Sequence, residues 1–319
     1  MRLKSIPHFS TIILAAGISK RMHSKIPKIL YKILGIPVIQ FVVKTAENVG
    51  SKEIVVVVGK NSKPVRSILK NRVKYALQDI PKGTGDAAKR GLEIVKNPYI
   101  LILYGDVPLL KKETIQNMIE NHFRKKAHLS ILTCRLQNPT GYGRIVRNKN
   151  GDIIRIVEHC DANQKELKIN EINTGIYFAE KKILDGFLKK LSTSNRQQEF
   201  YLTDIVHLLI NENKRVIGFG TDDEEEILGI NTKLDLARVK EIVKRNWFEE
   251  LMLRGVYIED PNTTTIDLTV KFGEFVHIRP FSIIEGNTTI KDNETIGPFV
   301  WIKDGIRKRI GNQILKCPS

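Results

Sequence analysis

The sequence predicts an α/β domain on a mixed, mainly parallel sheet, followed by a short solenoid of β-strands. Three observations carry this. Short β-branched runs alternate with helical patterns from residue 11 to about 135, the order that builds a parallel sheet covered on both faces. Beyond residue 140 the alternation gives way to a hairpin pattern. From residue 264 onward, apolar residues recur every six positions.

In chain order, residues 11–15, 53–58, 99–103 and 129–134 are strand-like runs bounded by turn residues. Helical periodicity fills 38–49, 84–95 and 112–123. Segments 143–147 and 153–157 flank Asn-Lys-Asn-Gly-Asp and read as a hairpin. A strand at 172–179 and helices at 202–213 and 235–254 follow. The last helix leads into the six-residue repeat. Ile266, Phe272, Ile278, Ile284, Ile290, Ile296 and Ile302 keep its period. Two places earlier stand Thr264, Val270, Val276, Ser282, Thr288, Glu294 and Val300, with Glu294 breaking the small or β-branched row. Such a period marks a β-solenoid of either hand. The register fails at Lys308, and residues 310–315 offer a short cap. The expected domains are 1–232, a linker helix at 233–254, and the repeat at 255–319.

Composition narrows the function. The 319 residues carry 52 Lys+Arg against 35 Asp+Glu, a net charge of +17. Residues 1–75 alone hold 15 cationic and 2 anionic side chains, 13 of that excess. Nucleic-acid binding, a positive field around anionic substrates and a solvated lysine surface all fit the charge. No arginine-rich tract or zinc-finger spacing supports the first, so no nucleic-acid partner is expected. No apolar run approaches the roughly 18 residues that span a bilayer, and no targeting segment is visible; no membrane partner is expected. Cys134, Cys160 and Cys317 lie far apart, which fits a reducing cytoplasm better than a disulfide framework.

The strongest motif follows the first strand: Leu14-Ala15-Ala16-Gly17-Ile18-Ser19-Lys20-Arg21-Met22, then Pro27-Lys28. Small residues let backbone N–H groups approach a nucleotide closely. Arg21 offers a planar fork to phosphate oxygens, and Lys28 a mobile point charge. An ordinary turn with surface cations is the competing reading. Tyr104-Gly105-Asp106 ends a buried strand, where a parallel-sheet enzyme holds a metal ligand; a capping aspartate is the alternative. Gln78 and the run Gly83-Thr84-Gly85-Asp86 open a helix. Gln78 can meet a base edge through its amide, and Thr84 can also cap the helix.

Together these motifs resemble the bifunctional bacterial UDP-N-acetylglucosamine pyrophosphorylase / glucosamine-1-phosphate N-acetyltransferase family. The resemblance covers about residues 9–303. It adds Thr140-Gly141-Tyr142-Gly143-Arg144, Val157-Glu158-His159, Glu171-Ile172-Asn173-Thr174-Gly175, Tyr201-Leu202-Thr203-Asp204 and Gly229-Ile230-Asn231. It implies a Rossmann-like nucleotidyltransferase domain followed by a left-handed β-helix stub. It further implies that UTP and N-acetylglucosamine 1-phosphate are the substrates and that Mg²⁺ is the cofactor. Leu14, Ala15, Ala16, Gly17, Gln78, Gly83 and Thr84 would hold the nucleoside, with Tyr104 and Gly105 beside them. Arg21, Lys28 and Asp106 would be catalytic, with the two cations on the triphosphate. Asp106 and Asn231 would hold the metal. Gly143, Glu158 and Asn173 would hold the sugar, with Tyr201 and Thr203 nearby.

Two departures stand out. Ser19 and Lys20 replace the family's Gly-Thr before Arg21-Met22, and altered affinity rather than lost activity is expected. No histidine follows His277, so nothing matches the family's acetyltransferase site. Acetylation is expected of a separate enzyme, and the stub offers a surface for homo-oligomerisation. Two other functional readings remain at this point: a nucleotidyltransferase for another sugar 1-phosphate, and a non-catalytic UTP-binding scaffold.

Overall fold

A computed structural model describes residues 7–17 and 19–309. It divides the chain into two compact units, one of Met1–Leu30 with Val38–Asn231 and one of Tyr31–Pro37 with Thr232–Ser319. The expected cap at 310–315 lies outside the described residues, as does Ile18 of the first loop.

The elements are β1 (Phe9–Leu14), β2 (Lys32–Ile33), β3 (Ile36–Pro37), α1 (Val38–Val49), β4 (Glu53–Val58), α2 (Lys63–Leu69), β5 (Lys74–Leu77), α3 (Thr84–Leu92) and β6 (Tyr99–Tyr104). They continue with α4 (Lys112–Arg124), β7 (Leu129–Arg135), β8 (Arg144–Arg147), β9 (Ile153–Val157), β10 (Glu171–Glu180), α5 (Lys181–Leu188), α6 (Asp204–Asn211), β11 (Val216–Thr221) and α7 (Lys233–Leu253).

In the first unit the strand order is β11-β7-β10-β6-β1-β4-β5. Strand β1 runs parallel to β4 and β6, β4 to β5, and β11 to β7. Strand β10 alone on this path is antiparallel to both neighbours, and the β8–β9 hairpin joins it at Ile172. Strand alternation sorts the core into two layers. Ile12, Leu14, Val55, Val57, Ile100 and Ile102 face Ala88, Leu92, Leu184 and Leu209 of α3, α5 and α6. Phe9, Ile13, Val56, Val58, Leu101 and Leu103 face Val43, Leu69 and Ile119 of α1, α2 and α4. Gly91 lets α3 press onto β1, since a Cβ there would lie 2.4 Å from Ile12 Cγ2.

The second unit opens with a capping box. Thr232 Oγ1 accepts from the Asp235 amide at 3.1 Å, and Asp235 accepts from the Thr232 amide at 2.8 Å. Phe248 and Leu251 of α7 then pack into the apolar column of the repeat. Ile266 pairs with Ile284 and Ile284 with Ile302, Phe272 with Ile290, and Ile278 with Ile296. Each rung is therefore three hexads from the next, and the strands form three parallel stacks. The column also reaches back to Ile258, which pairs with Ile278 across a longer coil. All residues two places before the column are buried except Glu294, whose charge keeps it partly in water. At the other end, Ile306–Arg309 folds back antiparallel on Val300–Lys303 and closes the described ladder.

The β2–β3 hairpin belongs to this unit, although sequence order assigned it to the first domain. Leu268 donates its amide to the Leu34 carbonyl at 3.0 Å. Gly35 takes φ +83°, and a Cβ there would meet the Asp267 carboxylate at 2.7 Å.

Candidate active site

The sheet reverses its winding at β1, with β4 and β5 on one side and β6 on the other. That reversal opens a crevice beyond the carboxyl ends of β1 and β6. The strand ends are closely tied there. Gly105 donates its amide to the Leu14 carbonyl at 2.9 Å, and a Cβ on Gly105 would lie 3.1 Å from that of Ala15. Ala15 in turn donates to the Val57 carbonyl at 2.9 Å. Ala16 is half-buried, and Gly17 is exposed with open space where its Cβ would be.

Four polar side chains converge at this edge. Lys28 forms an ion pair with Asp106, and its ammonium also donates to Asn231 Oδ1 at 2.8 Å. Arg21 Nη2 donates to the same oxygen at 3.0 Å. The Ile230 amide bonds the Asp106 carbonyl at 2.9 Å, which carries Asn231 to the strand end from over a hundred residues away. Ser19 has its own place: its hydroxyl accepts from the Lys28 amide at 2.9 Å and ties the glycine loop to the lysine segment. The side chain that departs from the family pattern thus adds a bond.

Gln78 leaves β5 with its amide bonded to the Val58 carbonyl. Its side-chain nitrogen donates to the Gly83 carbonyl at 3.0 Å and to Asp86 Oδ2 at 2.8 Å. Gly83 and Thr84 bind protein as well as flanking the crevice. Gly83 takes φ +106°, and a Cβ there would lie 2.6 Å from the Phe200 carbonyl. Phe200 donates to the Lys82 carbonyl at 2.8 Å and accepts from Gly85 at 2.7 Å, while Thr84 Oγ1 accepts from Leu202 at 3.0 Å. The loop proposed for the base and the segment holding Tyr201 and Thr203 are one hydrogen-bonded assembly.

The residues expected at the sugar adjoin it. Thr203 donates to Glu158 Oε1 at 2.9 Å. A Cβ on Gly143 would lie 3.4 Å from Glu158 Oε2. The Asn173 amide bonds the Gly143 carbonyl at 2.9 Å. Register shifts between Asn173 and Tyr177, and Gly175 there takes φ +82°, a bulge of the kind that re-aims side chains beside a site. The Asn173 side chain is held at both ends, donating to Tyr177 Oη at 2.7 Å and accepting from Gly175 at 3.1 Å. The Tyr104 ring covers Gly175, where a Cβ would come within 2.4 Å of it.

Burial pushes the Glu158 pKa up, and Asp204 and Asp161 add to that, while the Thr203 hydroxyl opposes it. Burial likewise raises the Asp204 carboxyl and the Tyr104 and Tyr201 phenols. Arg144 is enclosed here, and among the described residues no carboxylate pairs with it: it donates to the Tyr142 carbonyl and contacts His159 Nδ1 at 3.4 Å. Sequence reasoning gave no role to Asp86, Phe200 or Tyr177. Asp86 was visible within the Gly83-Thr84-Gly85-Asp86 run, whereas Phe200 depends on a pairing with Lys82 and Gly85 over a hundred residues away and Tyr177 on the bulge that turns its hydroxyl to Asn173.

Asp106 and Asn231 are oxygen donors that already converge on one cationic group, the Lys28 ammonium. That donor set fits Mg²⁺, which takes one or two carboxylates and completes its shell with water and substrate phosphates. Among the described residues no group of three His, Cys, Asp or Glu side chains offers an all-protein metal cage.

Residues 10–248 match the nucleotidyl transferase family. The chain belongs to the nucleotidyl transferase family. Within it, the Bifunctional protein GlmU of Thermosipho africanus is 43% identical over 305 residues, which are 95% of this chain and 65% of that protein. The Bifunctional protein GlmU of Syntrophomonas wolfei is 40% identical over 308 residues, 96% of this chain and 68% of its own. The chain thus spans about two thirds of the length of these relatives. Two solved structures share the nucleotidyl transferase fold. A putative glucose-1-phosphate thymidylyltransferase from Bacillus anthracis has a TM-score of 0.61 at 22% identity, covering 73% of this chain and 94% of its own. A UDP-glucose pyrophosphorylase has a TM-score of 0.59 at 19% identity, covering 73% and 99%. Among the described residues no helix is long and apolar enough to cross a membrane.

Proposed function

We propose that this nucleotidyl transferase is a uridylyltransferase that forms UDP-N-acetylglucosamine and pyrophosphate from UTP and N-acetylglucosamine 1-phosphate. The observation that carries the reading is the convergence of Arg21, Lys28, Asp106 and Asn231 at the switch point of the sheet. The similarity to GlmU proteins over 95% of the chain supports the choice of sugar and base.

In the proposed reaction a phosphate oxygen of the sugar phosphate attacks the α-phosphorus of UTP. The new P–O bond forms as the bond to pyrophosphate breaks in line with it. The attacking group is already an anion, so no protein nucleophile is needed. The obstacle is repulsion between two anions and their alignment. Arg21 and Lys28 would bind the triphosphate, and their positive charge would offset the repulsion. Asp106 and Asn231 would hold Mg²⁺, which supplies charge neutralisation of the phosphates when bound. Gln78, with Gly83 and the backbone of Leu14–Gly17, would hold the nucleoside. Glu158, Asn173 and Gly143 would orient the sugar beside Thr203 and Tyr201.

The test is pyrophosphate release from UTP, Mg²⁺ and a panel of sugar 1-phosphates. N-acetylglucosamine 1-phosphate should be the preferred acceptor; a clear preference for glucose 1-phosphate would overturn the sugar assignment. UTP binding without turnover of any sugar phosphate would make the chain a scaffold. Asp106→Ala should lower turnover by at least about 100-fold while leaving the melting temperature close to wild type.

A further inference from the structure

We propose that Asp86 is a specificity-determining residue: it locks the Gln78 amide so that the amide oxygen alone is offered to a nucleobase. The inference rests on the reading of Gln78 as the base contact. It goes beyond that reading by assigning the choice of pyrimidine to a side chain that need not touch the nucleotide.

Gln78 is almost fully buried, and its backbone is fixed to the end of β4. Both hydrogens of its side-chain nitrogen are directed at acceptors, the Gly83 carbonyl and the Asp86 carboxylate. Neither partner can donate. Turning the amide over would set its oxygen against two oxygens and lose both bonds. The carbonyl cannot turn to suit, because the Gly83 backbone is held at φ +106° against Phe200. The carboxylate is held as well. Asp86 lies in the first turn of α3, where the helix end favours a negative charge, and Arg90 approaches it at 3.7 Å.

The consequence is a fixed acceptor at Gln78 Oε1. Uracil presents an N3–H donor between two carbonyls. Cytosine presents an unprotonated N3 beside an exocyclic amine. The two nucleotides are otherwise alike in size, ribose and triphosphate. A fixed oxygen bonds the first at N3 and meets a lone pair on the second. A site built to hydrogen-bond its substrate discriminates strongly, because the mismatched partner leaves a buried polar group unpaired. Removing Asp86 leaves only one acceptor holding the amide and allows it to turn.

The experiment compares kcat/KM for UTP and CTP in wild type, Asp86→Ala, Asp86→Asn, Gln78→Ala and the Asp86→Ala/Gln78→Ala double variant. Asp86→Ala should narrow the UTP preference about tenfold. The double variant should discriminate no less than Gln78→Ala alone, because Asp86 acts only through Gln78. Asp86→Asn keeps the side-chain shape but can also donate, so it should narrow the preference too, and it serves if the alanine variant does not fold. An unchanged UTP/CTP ratio in a folded Asp86 variant would overturn the proposal, as would a further loss in the double variant. Failure of the wild type to turn over UTP would sink the functional reading separately. The same ratio would then be read from equilibrium binding of UTP and CTP.

Discussion

The Glu158 carboxyl is partly buried near Asp204 and Asp161, and burial raises its pKa above the ordinary carboxylate value, with the two aspartates adding to the shift. The folded chain therefore holds this proton to a higher pH than the unfolded chain does. The stability the group contributes is complete below its unfolded pKa and is lost as pH rises through the folded one. Glu158→Gln keeps an acceptor for Thr203 and removes the ionisation. It should melt above wild type at about pH 8, with the gap closing toward about pH 4. The same variant gives up the charged acceptor proposed for sugar hydroxyls, so on that proposal its kcat/KM for N-acetylglucosamine 1-phosphate should fall about tenfold. Melting curves across that range, with kinetics at its upper end, check both effects. The carboxylate was singled out in the sequence only through the family resemblance. Burial of an acid is made by partners such as Thr203, forty-five residues away, and composition holds no trace of it. Lys28 and Asp106 were legible for the opposite reason: each lies at a fixed offset from a strand whose type the sequence declares.

Elements were legible where one period dominated. The buried strands β1, β4, β6 and β7 and the helices α1 and α4 lie close to the positions expected of them, because their apolar residues fall on one period each. The helix α2 and the strand β5 carry too weak a period to be expected from the sequence. The first is only seven residues long and carries Pro64 near its start, and the second has two exposed residues out of four. Strand β11 was hidden by Gly218 and Gly220 and by its partial exposure at the sheet edge. The coupling of α3 to the segment at 199–203 was also beyond sequence reach, since Gly83 looks like any turn glycine until Phe200 is placed against it. Gly83→Ala tests that coupling. The alanine would need φ +106° and would press its Cβ to 2.6 Å from the Phe200 carbonyl. The strain should cost about 1–3 kcal/mol of stability. It should also raise KM for UTP and for the sugar phosphate together, because one hydrogen-bonded assembly joins the residues proposed for both. A rise confined to one substrate in steady-state kinetics would mean that the two segments act independently.

At the scale of the whole molecule the unresolved quantity is the charge. Residues 1–75 supply 13 of the net +17, yet the proposed chemistry names only Arg21 and Lys28 among those cations. Others are engaged elsewhere: Arg72 pairs with Glu47, and Lys74 with Glu53. Both proposed substrates are anions, and a positive field raises the rate at which anions arrive without altering the chemistry once they are bound. Ionic strength separates the two effects. The Debye length is about 8 Å at physiological salt, so charges spread over a surface are screened from one another. Lys28 and Asp106 form a direct, partly buried ion pair, which salt screens less than it does charges spread over the surface. Raising salt from about 0.05 to about 0.3 M should therefore lower kcat/KM for UTP severalfold while kcat at saturation stays within about twofold. The direct comparison is with a variant in which exposed Lys52, Lys60 and Lys63 are replaced by Gln, which should flatten the salt dependence and leave kcat unchanged. If the wild-type kcat/KM is itself flat, the lysines serve the surface and not the substrates. The positive first quarter would then have no part in turnover beyond the two cations at the crevice.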